Sequence, residues 1–297
     1  FIRIGRFMST DQSSSFKGLA VTATPIGNLG DLTPRAHDIL ATADIIACED
    51  TRHTGLLLSR LGITPKKLAA YHDHSKDHVI TGLINAMKDG KTVALVSDAG
   101  TPLISDPGYG LVCAAIKANI PVTPLPGASA VLSALAASGL PTDKFYFGGF
   151  LPNSAKKKRD LLMGLSVIPS TLVFYESPKR LAATLEVMME LYPQRQAVVA
   201  RELTKLHESF YYGTVTSLYQ ELKDQTLKGE AVLMLGPLEQ DDAISDDDIE
   251  QRLTRALADG YSRRDASQMI AEQTGLAKKD IYKIAIALPD PSPADDT

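Results

Sequence analysis

The sequence of 297 residues predicts an α/β protein with two α/β domains followed by a small helical module. Short apolar runs with β propensity alternate with segments of helical spacing from Leu19 to about Leu235, which is the pattern of α/β folds. Three further amphipathic stretches follow the last of these runs. Hydrophobic residues make up 44% of the chain, enough to build the cores of a globular protein.

The alternation fixes the order of the elements. Strands are predicted at residues 19–23, 44–48, 68–71, 92–97, 121–124, 145–147, 170–175, 196–201, 208–213 and 230–235. Helices are predicted at residues 34–42, 54–61, 78–89, 109–119, 129–138, 156–165, 178–191 and 215–223. Thr33 and Pro34 suit the cap and the first position of the first helix. Two strands lie close together between Val198 and Tyr212, so we expect the second half to be mixed rather than purely parallel.

The C-terminal stretches "IEQRLTRALADG", "SRRDASQMIAEQTG" and "KKDIYKIAIAL" predict three helices with Gly260 and Gly275 as stops. Their short, glycine-containing turns suggest a helix-turn-helix-like module. A segment rich in glycine, proline and polar residues near 141–152 predicts a domain boundary, and the acidic segment after Leu238 predicts a linker or a helix N-terminus. The predicted division is a disordered leader at 1–17, α/β domains at 18–140 and 141–238, an acidic linker at 239–248, the helical module at 249–289 and a disordered tail at 290–297.

Composition argues against several classes of protein. No apolar stretch is long enough and free enough of charge to span a bilayer, and we expect no secretory signal at the N-terminus. The two cysteines, Cys48 and Cys113, exclude a cysteine-rich zinc site and argue against a disulfide framework, so we expect a cytoplasmic protein. The net charge of −4 means that any contact with nucleic acid depends on local basic patches.

Three loops that follow predicted strands carry glycine, proline and polar residues. They are "TATPIGNLGDLTPRA" at 22–36, "VSDAGTPLISDPG" at 96–108 and "PLPGASAVLSAL" at 124–135. Each alone is consistent with an ordinary β–α connection, and none matches a dinucleotide-binding or P-loop pattern. Ligands bind to α/β sheets outside the carboxyl ends of the strands, so three such loops along one rim predict a ligand site.

A charged cluster of Glu49, Asp50, Arg52 and His53 directly follows another predicted strand. Charges that leave a buried strand favour a functional role over a random surface cluster. The alternative is a helix cap made by Asp50 or Thr51, with Arg52 as an ion-pair partner.

Three histidines, His72, His74 and His78, lie close together in sequence and invite comparison with a metal site. No fourth ligand is evident, so we expect a polar surface loop and no metal.

Charged residues also follow the strands of the second half, and four basic patches could contact phosphates. The basic residues are Lys156, Lys157, Lys158, Arg159, Lys179, Arg180, Arg263, Arg264, Lys278 and Lys279. A short basic run is equally typical of a solvated face, so none of these patches alone predicts a partner.

Several segments together resemble one known family. The segments are "TPIGNLGDLTPRA", "CEDTRHTGLLL", "VSDAGTPLISDPGY", "PLPGASA", "GFLP", "FYESPKR", "ARELTK" and "KGE". They resemble the ribosomal RNA small subunit methyltransferase I family, a branch of the tetrapyrrole-methylase superfamily of S-adenosylmethionine-dependent enzymes. The resemblance covers roughly residues 19–290 in order, and "EDTRHT" and "SDAGTPLISDPG" are specific to this branch.

The resemblance implies a fold, a reaction and partners. It implies two α/β domains of the tetrapyrrole-methylase type, with S-adenosylmethionine bound in the interdomain cleft, and a homodimer. It implies 2′-O-methylation of a cytidine in the decoding region of 16S ribosomal RNA in the small ribosomal subunit. It also implies that the C-terminal helical module helps to hold RNA.

By motif position, the resemblance assigns cofactor binding to residues of both domains. They are Pro25, Asp98, Ala99, Gly100, Thr101, Ile104, Ser129, Ala130, Tyr175, Arg201, Glu202, Gly229 and Glu230. A ribose hydroxyl must lose its proton to attack a methyl group, so a base or strong orientation is needed. Glu49 is the first candidate for the base, followed by Asp50, His53 and Lys205. Arg52 would clamp a phosphate or orient a carboxylate.

Two other functions stay open at this point. A tetrapyrrole C-methyltransferase of the same superfamily would need an apolar trough for a macrocycle, and the basic patches and C-terminal helices speak against it. A non-catalytic nucleic-acid-binding regulator would use those helices but would leave the three ligand-type loops unexplained.

Overall fold

The computed structural model describes residues 16–72, 77–165, 168–238, 246–258, 260–274 and 276–288. Its strands are β1 Gly18–Thr22, β2 Ile45–Cys48, β3 Leu68–Ala70, β4 Thr92–Leu95, β5 Val122–Leu125, β6 Phe145–Phe150, β7 Thr171–Glu176, β8 Gln196–Arg201, β9 Ser209–Thr214 and β10 Ala231–Leu235. Its α-helices are α1 Pro34–Thr42, α2 Thr51–Arg60, α3 Asp77–Lys88, α4 Tyr109–Lys117, α5 Ala130–Ser138, α6 Ala155–Leu165, α7 Pro178–Leu191, α8 Val215–Leu222, α9 Asp246–Ala258, α10 Arg263–Thr274 and α11 Lys278–Ala287. Every predicted strand and helix is present, with ends that differ by up to three residues.

The first sheet is parallel throughout and has the strand order β3-β2-β4-β1-β5. β2 and β4 are buried along their whole length, which explains their continuous apolar sequences. Tyr71 lies in the core beneath α3 and α4, where its hydroxyl accepts a hydrogen bond from the Leu111 N–H at 3.1 Å. Phe16 packs against the same sheet, so the fold extends into the predicted leader.

The three predicted ligand loops follow β4, β1 and β5, which are adjacent in this sheet. Their placement along one rim is therefore confirmed. Thr24 and Gly100 form a two-bond antiparallel bridge, with N···O distances of 2.9 and 3.0 Å, that joins the first two loops. The rim is thus a small rigid structure in its own right.

The second sheet has the order β6-β7-β10-β8-β9. β6 and β7 are parallel, whereas the other neighbours are antiparallel, so the prediction of a mixed second half is confirmed. Helices α6, α7 and α8 pack on one face through a large apolar cluster. Helix α5 packs on the other face, although the chain enters it directly from the first sheet.

The C-terminal module consists of α9, α10 and α11 around a small core that includes Leu253, Ile270 and Ile281. Helix α9 begins at Asp246, so the end of the predicted acidic linker is helical. Residues 239–245 and the predicted tail lie outside the described residues, and the division into domains stays a prediction. Among the described helices, none combines the length and the apolar character that crossing a membrane requires.

Candidate active site

A cleft of about 410 Å³ opens between the two sheets. This volume is in the range of small-molecule sites. One wall is formed by the rim loops of the first sheet and the other by the second sheet with its loops. The lining residues are Ile26, Asp98, Ala99, Gly100, Thr101, Ile104, Ser105, Asp106, Ser129, Ala130, Phe150, Tyr175, Glu176, Ser177, Ala200, Leu203, Gly229, Glu230, Ala231 and Val232.

The loop after β4 is stiff because its backbone is committed to unusual conformations. Gly100 has φ +81°, and a Cβ there would lie 3.2 Å from Ile26 Cγ2. Leu103 and Ser105 also have positive φ values of 73° and 65°. The Thr101 hydroxyl donates to the Ala128 carbonyl at 3.0 Å and so ties this loop to the one after β5. Glycine at position 100 fits this left-handed conformation, in which its N–H and carbonyl both pair with Thr24.

Asp98 lies at the start of this loop and lines the cleft. Its Oδ1 atom is buried and has no hydrogen-bond partner among the described residues. Leaving a buried carboxylate oxygen unpaired costs stability, so such an atom calls for an explanation. A ligand that donates a hydrogen bond in the cleft would supply one.

Asp106 ends the same loop and also lines the cleft, although the sequence assigned it no role. Burial raises the pKa of its carboxyl to about 6, against a hydrogen bond from Ser97 that lowers it. The negative charges of Glu49 and Asp98 add to the rise. A carboxyl with a pKa near the working pH is suited to proton transfer.

The second wall carries an aromatic and a charged part. Burial raises the pKa of the Tyr175 hydroxyl to about 12, and the charges of Asp106 and Glu230 add to the rise. Lys205 Nζ lies 2.9 Å from Glu202 Oε1 and 2.8 Å from Glu230 Oε2. Burial opposes the charging of Lys205, but these carboxylates outweigh it and raise the pKa of its amine above the ordinary value. A raised pKa disfavours Lys205 as the base, and its role in catalysis stays a prediction.

The two walls also touch directly beside the cleft. The Asn28 N–H donates to the Thr204 hydroxyl at 3.1 Å. A Cβ at Gly27 would collide with the Lys205 side chain and would lie 2.8 Å from Thr204 Oγ1. The loop after β1 therefore rests on the turn after β8, and this contact needs a glycine.

Ten of the thirteen residues assigned to the cofactor line the cleft; Pro25, Arg201 and Glu202 do not. Pro25 is buried beneath the rim. Arg201 donates to Ser209 Oγ and to the Lys228 and His207 carbonyls. Glu202 accepts from the Glu230 N–H at 3.0 Å. These three residues shape the loops around the cleft, and their direct role in binding stays a prediction.

The charged cluster of Glu49, Asp50, Arg52 and His53 forms mainly a helix cap and an ion pair, which was the alternative to a functional role. Asp50 caps α2 by accepting hydrogen bonds from the Arg52 and His53 N–H groups, and its carboxylate pairs with the Arg52 guanidinium at 2.8 Å. These bonds, the Arg52 side chain first, hold the pKa of Asp50 well below its usual range. Glu49, Arg52 and His53 are exposed and do not line the cleft, although the charge of Glu49 acts on Asp106.

Lys158 is the clearest error among the predicted RNA contacts. Its side chain is only 4% exposed, and its Nζ donates to Thr184 Oγ1 at 2.6 Å and lies 3.8 Å from Glu176 Oε2. A phosphate outside the protein cannot reach it. Arg180 is also committed within the protein, because it pairs with Glu176 and donates to the Leu151 carbonyl.

The remaining predicted RNA contacts divide by exposure. Arg159 pairs with Glu190, and Arg263 donates to the Ala285 and Leu288 carbonyls. Lys278 is half-buried. The exposed cations are Lys156, Lys157, Lys179, Arg264 and Lys279.

The histidine loop shows no metal site within the part that the structure describes. His74 falls outside the described residues.

Comparison with protein families divides the chain as its architecture does. Residues 18–219 match the family of Tetrapyrrole (Corrin/Porphyrin) Methylases, and residues 243–289 match the RsmI C-terminal HTH domain. Solved structures with the same fold include the methyltransferase CobJ, with a TM-score of 0.55 and 21% identity, covering 75% of this chain and 95% of that one. A uroporphyrin-III C-methyltransferase from Thermus thermophilus in complex with S-adenosylhomocysteine has a TM-score of 0.51 and 17% identity, covering 74% and 97%. At these identities the likeness concerns the fold.

Curated relatives are much more similar in sequence. Proteins named ribosomal RNA small subunit methyltransferase I are 46% identical in Mesorhizobium japonicum, 44% in Synechocystis sp. and 43% in Escherichia coli O157:H7. The matches cover 94%, 91% and 90% of this chain, and 94%, 98% and 94% of the respective relatives. The chain therefore belongs to the ribosomal RNA small subunit methyltransferase I family, with a tetrapyrrole-methylase fold and a C-terminal helix-turn-helix domain.

Proposed function

We propose that the protein is an S-adenosylmethionine-dependent methyltransferase that modifies the 2′-hydroxyl of a cytidine in the decoding region of 16S ribosomal RNA. The name of its close relatives supports the reaction class and the ribosomal RNA substrate. The observation that carries the proposal is the cleft between the sheets, which Asp98 lines with a buried carboxylate oxygen that has no hydrogen-bond partner among the described residues.

The residues of the cleft fit the proposed cofactor. Asp98 offers an acceptor that the protein itself leaves unsatisfied, suited to the amine or ribose hydroxyls of S-adenosylmethionine. Gly229 is exposed at the cleft with φ +91°, a conformation that favours glycine, and the absence of a side chain there leaves its backbone accessible to a ligand. Ala200, Ala231 and Val232 add an apolar floor suited to a flat ring. The bound cofactor supplies an electrophilic methyl group for transfer to an oxygen nucleophile.

Asp106 replaces Glu49 as our first candidate for the base that accepts the ribose proton. It lines the cleft, whereas Glu49 lies outside it. Burial, helped by the nearby charges of Glu49 and Asp98, raises the pKa of Asp106, which is what a carboxylate base for a hydroxyl group requires. Glu49 then acts through Asp106 rather than on the substrate.

The partners form the finer part of the proposal. Exposed lysines on α6 and exposed basic residues of the C-terminal module would contact phosphates of the small ribosomal subunit. Two copies of the chain would act as a homodimer. A ribosomal substrate agrees with the expected cytoplasmic location.

The test is transfer of a labelled methyl group to 30S subunits from a strain that lacks the enzyme, followed by mapping of the modified nucleotide. We expect label on the ribose of one decoding-region cytidine. A precorrin offered in parallel tests the tetrapyrrole alternative, and label on the macrocycle instead of RNA would refute the proposal. Absence of S-adenosylhomocysteine binding in calorimetry would favour a non-catalytic binding protein.

A further inference from the structure

The last residues of β6, Gly148, Gly149 and Phe150, form a β-bulge at the edge of the cleft. Phe147 pairs with Val173 and Phe150 pairs with Tyr175, so β6 carries one residue more than β7 between these two pairs. Such an extra residue bends the strand and redirects the side chain that follows it.

The sequence encodes this bulge through its glycines. Gly149 has φ +64°, and a Cβ there would lie 3.3 Å from Ser105 Oγ. A Cβ at Gly148 would lie 2.9 Å from Phe174 Cδ1 and nearer still to the next ring atom. A side chain at Gly148 would therefore displace the core, and one at Gly149 would strain the backbone.

The extra residue places Phe150 on the same side of the sheet as Phe147, so that both rings flank Tyr175. The ring centroids lie 5.0 Å from Tyr175 for Phe147 and 5.3 Å for Phe150, at angles of 68° and 59°. Without the bulge, Gly149 would pair with Tyr175 and Phe150 would point to the opposite face. The bulge is thus the reason that an aromatic ring stands in the cleft.

Phe150 is 63% exposed, and its backbone pairs with Tyr175 of β7. The Arg180 guanidinium donates to the Leu151 carbonyl at 2.6 Å and is anchored by Glu176, with Nε 3.0 Å from Oε1. An exposed aromatic ring inside a cleft of ligand size supplies a large apolar contact surface for a bound group. Preorganisation also lowers the entropy lost on binding.

We propose that Phe150 is a stacking platform for the base of the nucleotide whose ribose is methylated. This inference rests on the proposed function. Proteins recognise unpaired RNA bases by stacking them on aromatic side chains, and a ribose inside a folded RNA becomes accessible when its nucleotide is turned outward. Phe150 shares the cleft with Asp106, so a nucleotide stacked on the ring brings its ribose toward the carboxylate.

The ring suits the RNA better than the cofactor because of its place in the cleft. The apolar floor at Ala200, Ala231 and Val232 is buried, whereas Phe150 lies at the exposed part of the lining. A small-molecule cofactor is usually enclosed over most of its surface. The buried floor can enclose a ligand in this way, whereas the exposed part of the cleft at Phe150 cannot.

The experiment compares Phe150→Ala, Phe150→Leu and Phe150→Tyr in the full chain. KM and kcat are measured on 30S subunits that lack the modification, and the Kd of S-adenosylhomocysteine is measured by calorimetry. Loss of one base–aromatic stack should raise KM by about 10-fold to 100-fold in Phe150→Ala. Phe150→Leu keeps apolar area without a π-face and should resemble Ala, while Phe150→Tyr should resemble the wild type.

Phe145→Ala is the matched control, because Phe145 lies on the same strand, is 43% exposed and does not line the cleft. It should leave KM unchanged, and all variants should bind S-adenosylhomocysteine within about twofold of the wild type. An unchanged KM in both Phe150→Ala and Phe150→Leu would overturn the stacking role. A Kd that weakens in step with KM would assign the ring to the cofactor instead. A wild-type chain that methylates no small-subunit RNA would refute the proposed function itself, and the stacking role with it.

Discussion

At the scale of single residues, the cleft holds two carboxylates with different tasks. Asp98 has a buried oxygen without a partner among the described residues, whereas Asp106 has a hydrogen bond from Ser97 and an elevated pKa. The first is suited to holding a ligand and the second to accepting a proton. The sequence placed both in one loop but gave no means of distinguishing them, because the difference depends on burial and on Glu49, which precedes α2.

We predict that Asp106→Asn lowers kcat by at least 100-fold, since an amide cannot accept the ribose proton. In the wild type, activity should rise with pH through about 6, where Asp106 loses its proton. Glu49→Gln removes a charge that raises this pKa, so it should shift the profile to lower pH and reduce kcat less. A pH–rate profile for each variant is the measurement, and near-normal turnover in Asp106→Asn would remove Asp106 as the base.

Asp106→Asn should also be more stable than the wild type at neutral pH. The folded-state pKa of Asp106 lies near 6, above the ordinary 3.8, so its stabilising contribution is complete below pH 3.8 and is lost as the pH rises through 6. At pH 7.5, Asp106→Asn should therefore raise Tm by about 2–4 °C. Thermal denaturation at pH 7.5 and pH 4 checks the sign, because the gain should largely disappear at the lower pH.

We predict that Asp98→Ala weakens binding of S-adenosylhomocysteine by at least 10-fold, since it removes the acceptor that the protein leaves unpaired. Its Tm without ligand should stay level or rise, because an unsatisfied buried oxygen is removed. Calorimetry and thermal denaturation separate the two effects. Unchanged affinity would show that Asp98 does not contact the ligand.

At the scale of elements, α6, α7 and β7 are joined by a buried polar network. Glu176 on β7 accepts from Thr184 Oγ1 at 2.7 Å, and Lys158 on α6 donates to that hydroxyl. Burial lowers the pKa of Lys158, although the charge of Glu176 opposes the shift. The network fixes Glu176 and Ser177 where they line the cleft.

We predict that Lys158→Met destabilises the fold by about 3 kcal/mol, because it leaves part of a buried charged network without its partner. Lys157→Met is the matched control, since its neighbouring position on α6 is exposed. It should change stability by no more than about 0.5 kcal/mol. Urea denaturation measures both, and equal stabilities would contradict the role of the network.

The elements were largely predictable, whereas several roles were not. Thr33 and Pro34 mark the start of α1, and the apolar run at 93–96 marks a buried strand, because these signals are local. Lys158 shares one face of α6 with Leu162 and Leu165, which hinted at burial, but its partners lie on β7 and α7. Phe150 depends on a pairing shift between two strands, and pairing cannot be read from one strand alone.

At the scale of the whole molecule, a net charge of −4 coexists with a proposed RNA substrate. Lys156 and Lys157 are exposed on α6, while Arg159 pairs with Glu190. Phosphate contacts would therefore come from a few exposed cations. The affinity for RNA should fall with salt concentration, with a slope set by the number of these contacts.

We predict that replacing Lys156 and Lys157 together by alanine lowers the slope of log K against log salt concentration for 30S binding by about 1.4, or 0.7 for each lost phosphate contact. Arg159→Ala should lower the slope less, because Glu190 already neutralises this cation. Filter binding over a series of salt concentrations gives the slopes. A double variant with the wild-type slope would place the RNA elsewhere on the surface.

Helix α5 has a consequence for how the two halves of the molecule can be separated. The chain leaves β5 at Leu125, and α5, beginning at Ala130, covers the second sheet with Val131 and Leu135. A fragment that stops at residue 140 would carry an apolar helix with nothing to cover, and the complementary fragment would leave one sheet face bare. The natural crossing point for exchange between relatives is therefore the four-residue bend at 126–129, which also forms part of the rim. A second half taken from a relative would have to include its own α5 and would also supply one wall of the cleft. Folding and catalysis therefore restrict recombination at the same place.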